Sequence, residues 1–111
     1  SLADRAKTLP NVRFLAKRLT DQELADLHEA ADAALLPYRR ITGSGALLTA
    51  WTLGRGAVAA DLPYFRELVA ADPAAGELFP VGSADGLVDA VDRFLSAPVD
   101  DRHAAARRAA A

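Results

Sequence analysis

The sequence predicts an α/β fold in which a parallel sheet carries helices on both faces, and three observations predict it. Ala33-Ala34-Leu35-Leu36 and Ala57-Val58-Ala59-Ala60 contain no polar residue, as strands buried on both sides in parallel sheets tend to. The segments between and after them have helical composition and are bounded by capping residues, prolines and glycines. Strand and helix alternate along the chain, which is the pattern of a layered, doubly wound, Rossmann-like sheet.

Each element has its own local signal. The first eight residues, ending in Lys7-Thr8, read as the last turns of a helix that Pro10 stops. Val12-Arg13-Phe14-Leu15 is a short strand candidate. Thr20-Asp21-Gln22-Glu23 forms a capping box, in which the Thr hydroxyl and the Glu carboxylate each satisfy the other's end of the turn. Leu24, Leu27 and Ala31 then recur at helical spacing and give that helix one apolar face. Gly45 to Leu53 is the next helix, and Gly54 stands where a left-handed cap belongs. Asp61 with Pro63 opens a short helix through about Val69. Glu77-Leu78-Phe79 is the last strand, and Ser83 caps a helix running to about Leu95. Beyond Pro98, Asp100 to Ala111 is alanine- and arginine-rich and helical in composition. Lacking bulky core residues, this 98–111 tail is expected to fray or to dock on a neighbour outside the chain.

Bulk properties narrow the classes. A chain of 111 residues is one domain or part of one. It is long enough to bury roughly two-thirds of its unfolded surface without staples. The net charge of -2 argues against a general nucleic-acid binder. Without cysteine there are neither disulfides nor thiolate metal sites. His28 and His103 are too far apart in sequence to suggest a zinc site. No apolar run approaches the ~20 residues of a membrane span, and the start does not read as a signal peptide. A cytoplasmic address is the default expectation. The chain opens on Ser1 rather than Met, which points to a piece of something longer.

The richest stretch runs from Leu35 to Ala59: strand, basic and glycine-bearing loop, helix, glycine stop, strand. It places the amino end of a helix at the carboxyl end of a parallel strand. Such a junction offers unpaired backbone N–H groups and about half a positive charge to an anion. Gly43 and Gly45 let the backbone approach a ligand closely, Ser44 adds a hydroxyl donor, and Arg39 and Arg40 stand in the same loop. A phosphate-bearing ligand is the natural match.

From about Pro10 to Leu95 the chain resembles the back half of the nucleotide-sugar-binding domain of GT-B glycosyltransferases, in particular the retaining group-one (family 4-like) enzymes. The resemblance is carried by Asn11-Val12-Arg13-Phe14-Leu15, Glu23-Leu24-Ala25-Asp26-Leu27, Ala31-Asp32, Leu36-Pro37-Tyr38 and the Ser44-Gly45 turn. Ala50 with Gly54, Leu62-Pro63-Tyr64-Phe65-Arg66-Glu67 and Gly82-Ser83-Ala84-Asp85-Gly86-Leu87 complete it. The resemblance implies an enzyme that transfers a hexose-like sugar from a nucleotide diphosphate sugar to the hydroxyl of an acceptor glycan, lipid or small molecule. The anomeric configuration would be retained, with no cofactor beyond the nucleotide sugar as co-substrate and no obligatory metal. A bacterial-looking parent at the cytoplasmic side, peripheral at the inner membrane, is the matching setting. The backbone of Ser44, Gly45 and Ala46 would hold the donor diphosphate and stabilise it as it departs, with Gly43 permitting the approach and Arg39 and Arg40 neutralising charge. Thr49 would meet the ribose, and Lys17 and Arg18 lie where such enzymes contact the base.

Two departures qualify those expectations. Many members carry a glutamate at each of the positions held here by Ile41 and Thr49. Thr49 offers one neutral hydrogen bond where a carboxylate offers two charge-assisted ones, and Ile41 offers none. The family's domain also begins with two strands and a helix that this chain lacks, as it lacks the acceptor-binding domain. In the doubly wound order 3-2-1-4-5-6 those strands are central. The chain therefore reads as a partial donor-binding domain over residues 1–111, inactive alone, with a gapped sheet whose open edges invite pairing with another chain.

Plainer readings stand beside these. The Ser44-Gly45 turn also serves as a simple helix start, and Arg39 and Arg40 as solvated charges. Thr49 and Trp51 suit packing of a helix on a sheet, and Tyr64 and Phe65 ordinary burial. His28 reads as a boundary residue. Glu67 reads as a cap or a partner of Arg66 or Arg55, Asp85 as a first-turn acid, and Arg107-Arg108 as solvated. The rival function is a non-catalytic nucleotide- or protein-binding remnant, favoured by the missing glutamates where the intact phosphate turn favours the enzyme. A small flavodoxin- or receiver-like domain fits less well, because neither an early phosphate loop nor an acidic cluster after a first strand is present.

Overall fold

The computed structural model describes residue 4 and residues 8–13, 15, 17–40 and 45–111. Helix α1 spans Asp21–Ala30, strand β1 Ala34–Leu36, α2 Gly45–Thr52, β2 Ala57–Ala60 and α3 Pro63–Ala71. A 3-10 turn at Pro73–Ala75 leads to β3 at Gly76–Phe79, followed by α4 at Ala84–Leu95 and α5 at Val99–Ala110. Among the described residues the sheet has three strands in the order β1-β2-β3. Both pairings are parallel, with Ala34 opposite Ala57, Leu36 opposite Ala59, and Ala57 to Ala60 opposite Gly76 to Phe79. The fold is α/β with a parallel sheet, as expected.

Alternation along β2 builds the core. All four of its residues are buried, and successive side chains point to opposite faces. Ala57 and Ala59 join Leu36, Leu47, Trp51, Phe65, Ala75, Ala105 and Ala106 in one cluster. Val58 and Ala60 join Phe79, Ala90 and Phe94 in the other. Thus α2, α3 and α5 cover one face and α4 the other. Trp51 is fully enclosed, and its indole N–H donates to the Ala75 carbonyl at 3.0 Å. A buried indole needs such a partner, and this one ties α2 to the entry of β3.

The helix ends form where their residues call for them. The Thr20 hydroxyl accepts from the Glu23 N–H and the Glu23 carboxylate from the Thr20 N–H, which completes the capping box. Pro63 opens α3, and the Ser83 hydroxyl caps α4 by accepting from the Gly86 N–H. Gly54 ends α2 with φ +78°, a conformation open to glycine without strain.

Two expectations change, and the apolar face expected on α1 is present but unburied. Val12, Arg13 and Leu15 belong to no strand and are exposed, while Phe14 lies outside the described residues. A strand needs a paired edge, and in the doubly wound order 3-2-1-4 two further strands would stand between this one and β1. The tail neither frays nor awaits an outside neighbour: α5 docks on α2 and the 3-10 turn, burying Ala105 and Ala106. Alanine suffices there because small side chains let two helices approach closely. Finally, α1 buries none of its residues, and Leu27 remains 43% exposed. Its apolar stripe faces a groove instead of a core. The helix end read over residues 1–8 lies outside the described residues apart from Asp4 and Thr8.

Candidate functional site

In a parallel α/β layer each helix runs back against the strands, so its amino end lies at the carboxyl edge of the sheet. Two helix amino ends meet there. Asp21, the first residue of α1, and Gly45, the first of α2, line the same cavity of about 430 Å³, together with Leu24, Leu48 and Thr49. A second cavity of about 420 Å³ runs along the free edge of β1, lined by Leu27, His28, Leu35, Ala46 and again Leu24 and Thr49. Leu24 and Thr49 are therefore shared walls of one continuous cleft.

The two helix ends differ in charge. The first turn of α1 contains Asp21 and Glu23, and its capping box already occupies two N–H groups. The first turn of α2 holds no acidic residue. An anion entering the cleft is therefore drawn to the Gly45–Ala46 end and repelled from the Asp21 end. Asp21 places a carboxylate on the opposite wall.

The sequence-predicted site residues are spread over this edge. Gly45 is exposed and open: a Cβ built there meets nothing within 4 Å. Ala46 and Thr49 are half-buried on the cleft side of α2. Ile41, Thr42, Gly43 and Ser44 lie outside the described residues. Lys17 forms an ion pair with Glu23, Nζ to Oε2 2.5 Å, which fixes it to the first turn of α1. The Lys17 ammonium, followed by the Thr20 N–H and hydroxyl, holds the Glu23 carboxyl below its ordinary value. Arg18 is exposed nearby in sequence.

Arg39 turns elsewhere. Its Nη1 would lie 3.4 Å from a Cβ on Gly82, so it crosses the carboxyl edge to the β3–α4 turn. Gly82 has φ +78° and leaves room for that guanidinium. Arg40 is exposed. Tyr38 packs on Phe65 with ring centroids 5.7 Å apart, and Tyr64 on Phe65 at 6.0 Å. These aromatic contacts fasten the loop after β1 to the start of α3. Arg66 pairs with Asp61 at 2.8 Å and not with Glu67.

Sequence reading missed Asp21 as a wall residue. Its position in a capping box announces helix chemistry, whereas its approach to Gly45 depends on how α1 and α2 cross. Among the described residues no three His, Asp or Glu side chains converge as metal ligands would. No helix of the described residues is long and apolar enough to cross a membrane.

A parallel sheet with helices on both faces and a cleft at its carboxyl edge defines a Rossmann-like α/β domain. The chain matches the family of group 1 glycosyl transferases over residues 1–97, and it belongs to that family. In fold it is similar to sucrose-phosphate synthase from Thermosynechococcus elongatus, with TM-score 0.79 and 18% sequence identity. That likeness covers 98% of this chain and 27% of the synthase chain, so the chain spans about a quarter of that structure. No curated protein sequence matches it.

Proposed function

We propose that residues 1–111 form part of the donor-binding domain of a glycosyltransferase, and that the cleft between α1 and α2 takes the nucleotide diphosphate of a sugar donor. The observation that carries this reading is the shared cleft itself. It opens at an amino helix end free of acidic residues, with Thr49 one turn further along the same wall. The N–H groups of Gly45 and Ala46, with those of Gly43 and Ser44 before them, bind the diphosphate. They stabilise it further as charge builds on the leaving group, which lowers the barrier to sugar transfer. Thr49 bonds the ribose, Lys17 and Arg18 meet the base, and Arg40 neutralises phosphate charge. Arg39 joins it by swinging back from Gly82. Losing the single neutral bond of Thr49 costs about 0.5–1.5 kcal/mol of donor affinity. The acceptor site lies in a part of the parent protein beyond these residues, so the chain alone is expected to bind without turning over.

An amide chemical-shift titration of the isotopically labelled chain with UDP, GDP and ADP tests this. Saturable shifts confined to residues 17–24 and 42–49 for one nucleotide are the expected result and identify the base. A dispersed spectrum indifferent to all three overturns the reading. It would favour the non-catalytic remnant, which the replacement of the family's two glutamates by Ile41 and Thr49 supports.

A further inference from the structure

The structure draws the carboxyl ends of α1 and α2 together through one side chain. Arg55 follows α2, and its own N–H donates to Ala50 at 2.9 Å, which seats its backbone on that helix. Its side chain then reaches the other helix. Nε donates to the Ala31 carbonyl at 2.8 Å, Nη2 to the Glu29 carbonyl at 2.9 Å and Nη1 to the Gly54 carbonyl at 3.0 Å. The carbonyls at the end of a helix have no partner within it, and the helix dipole makes them a favourable seat for a cation. Arg55 thus caps α1 from a distance of 24 residues in sequence.

No other described contact holds α1 comparably. It buries no residue, a cleft separates it from α2, and its ion pair with Lys17 is local. The two helices are consequently joined at their carboxyl ends by this side chain, and the cleft between them reaches Asp21 and Gly45 at their amino ends. A small rotation about the Arg55 clip changes the width of that mouth. The ten-residue length of α1 amplifies it, because at 1.5 Å per residue the far end lies roughly 15 Å away.

We infer that Arg55 is a positioning residue of the donor cleft, setting the spacing of its two helical walls without touching the ligand. This inference rests on the donor-site reading above. A lysine keeps the charge but lacks the planar fork that serves two carbonyls at once, so it should only partly replace the arginine.

The test uses the full chain with spin labels on Gln22→Cys and Leu48→Cys, one on each wall; there is no native cysteine to interfere. In the parent background the interlabel distance should be narrowly distributed. With Arg55→Ala it should broaden or shift, and Arg55→Lys should restore part of the narrow distribution. In unlabelled protein, the dissociation constant of whichever of UDP, GDP or ADP binds best should rise about tenfold with Arg55→Ala and recover in part with Arg55→Lys. Amide exchange in β2 should remain unchanged, which separates a moved wall from a weakened fold. An unchanged distance distribution with Arg55→Ala overturns the inference, as does unchanged nucleotide affinity. Uniformly faster exchange through β2 and β3 in both variants also overturns it, by making Arg55 a general support of the fold. If the wild-type chain binds none of the nucleotides, the donor reading falls, while the label distances still decide whether Arg55 spaces the two walls.

Discussion

Gly56 shows how tightly a single position is set. A Cβ there would lie 2.2 Å from the Phe94 ring and 2.9 Å from the Ala75 carbonyl oxygen. The ring can rotate away; the carbonyl is fixed by the entry to β3, where it also accepts from Trp51. Gly56→Ala should therefore destabilise by about 1–3 kcal/mol, the ordinary cost of overpacking a filled core. Urea unfolding followed by circular dichroism checks this, and a midpoint equal to that of wild type would show that the strands part easily. Nothing near Gly56 in the sequence announces the constraint, because Phe94 belongs to a helix formed much later in the chain. The buried Arg102 was equally hidden. Its charge is met by the Leu95 and Ala97 carbonyls and by the Phe94 ring 5.9 Å away. A backbone carbonyl leaves no mark on residue identity. Capping residues such as Thr20 and Ser83 were legible because their partners lie three residues away.

The helices divide by how they are held. α4 presents Ala90 and Phe94 to the sheet, and its apolar side chains recur at the spacing a reader can follow. In contrast, α5 is held by alanines, and composition alone suggests a loose tail. What decides its docking is the close approach that alanine permits, together with the Arg102 anchor. That docking carries a pH dependence. His103 sits on α5 with its Nε2 buried and without a partner among the described residues. Burial, then the charges of Arg55, Arg102 and Arg107, lower its pKa below 6.5, while Asp100 opposes them. The unfolded chain thus binds the proton more readily than the folded one. The stability contributed by neutral His103 is full above pH 6.5 and is lost as pH falls from there through the folded value. Urea midpoints measured on either side of that window should fall further for wild type than for His103→Gln. Equal falls would place the sensitivity on other groups.

At the scale of the whole molecule, two apolar runs and Glu77-Leu78-Phe79 alternate with helices, and the observed order β1-β2-β3 is the one a doubly wound sheet gives them. The fate of Val12, Arg13 and Leu15 was not legible in the sequence, because a short apolar run becomes a strand only where a neighbouring strand offers it an edge. The free side of β1 bears the consequence. Leu35 is 51% exposed, yet it belongs to a strand of a type normally buried on both faces. The groove beside it is walled by α1 and α2, and its lining is largely apolar. In the parent protein that we propose, a further parallel strand pairs with the free edge of β1 and takes the part of the groove beside Leu35, leaving the mouth at Asp21, Gly45 and Thr49 to the donor. The energetic consequence differs between the two contexts. In the present chain Leu35→Lys should shift stability by no more than ~0.5 kcal/mol, as at most exposed sites. Once the chain is extended at its amino end through the preceding strands of the parent, the same change buries an unpaired ammonium and should cost several kcal/mol. Extension should also raise Tm and slow exchange of the Leu35 N–H. Unchanged melting on extension, together with an equally mild Leu35→Lys, would mean that β1 is a natural edge, and the gapped sheet would have to be abandoned.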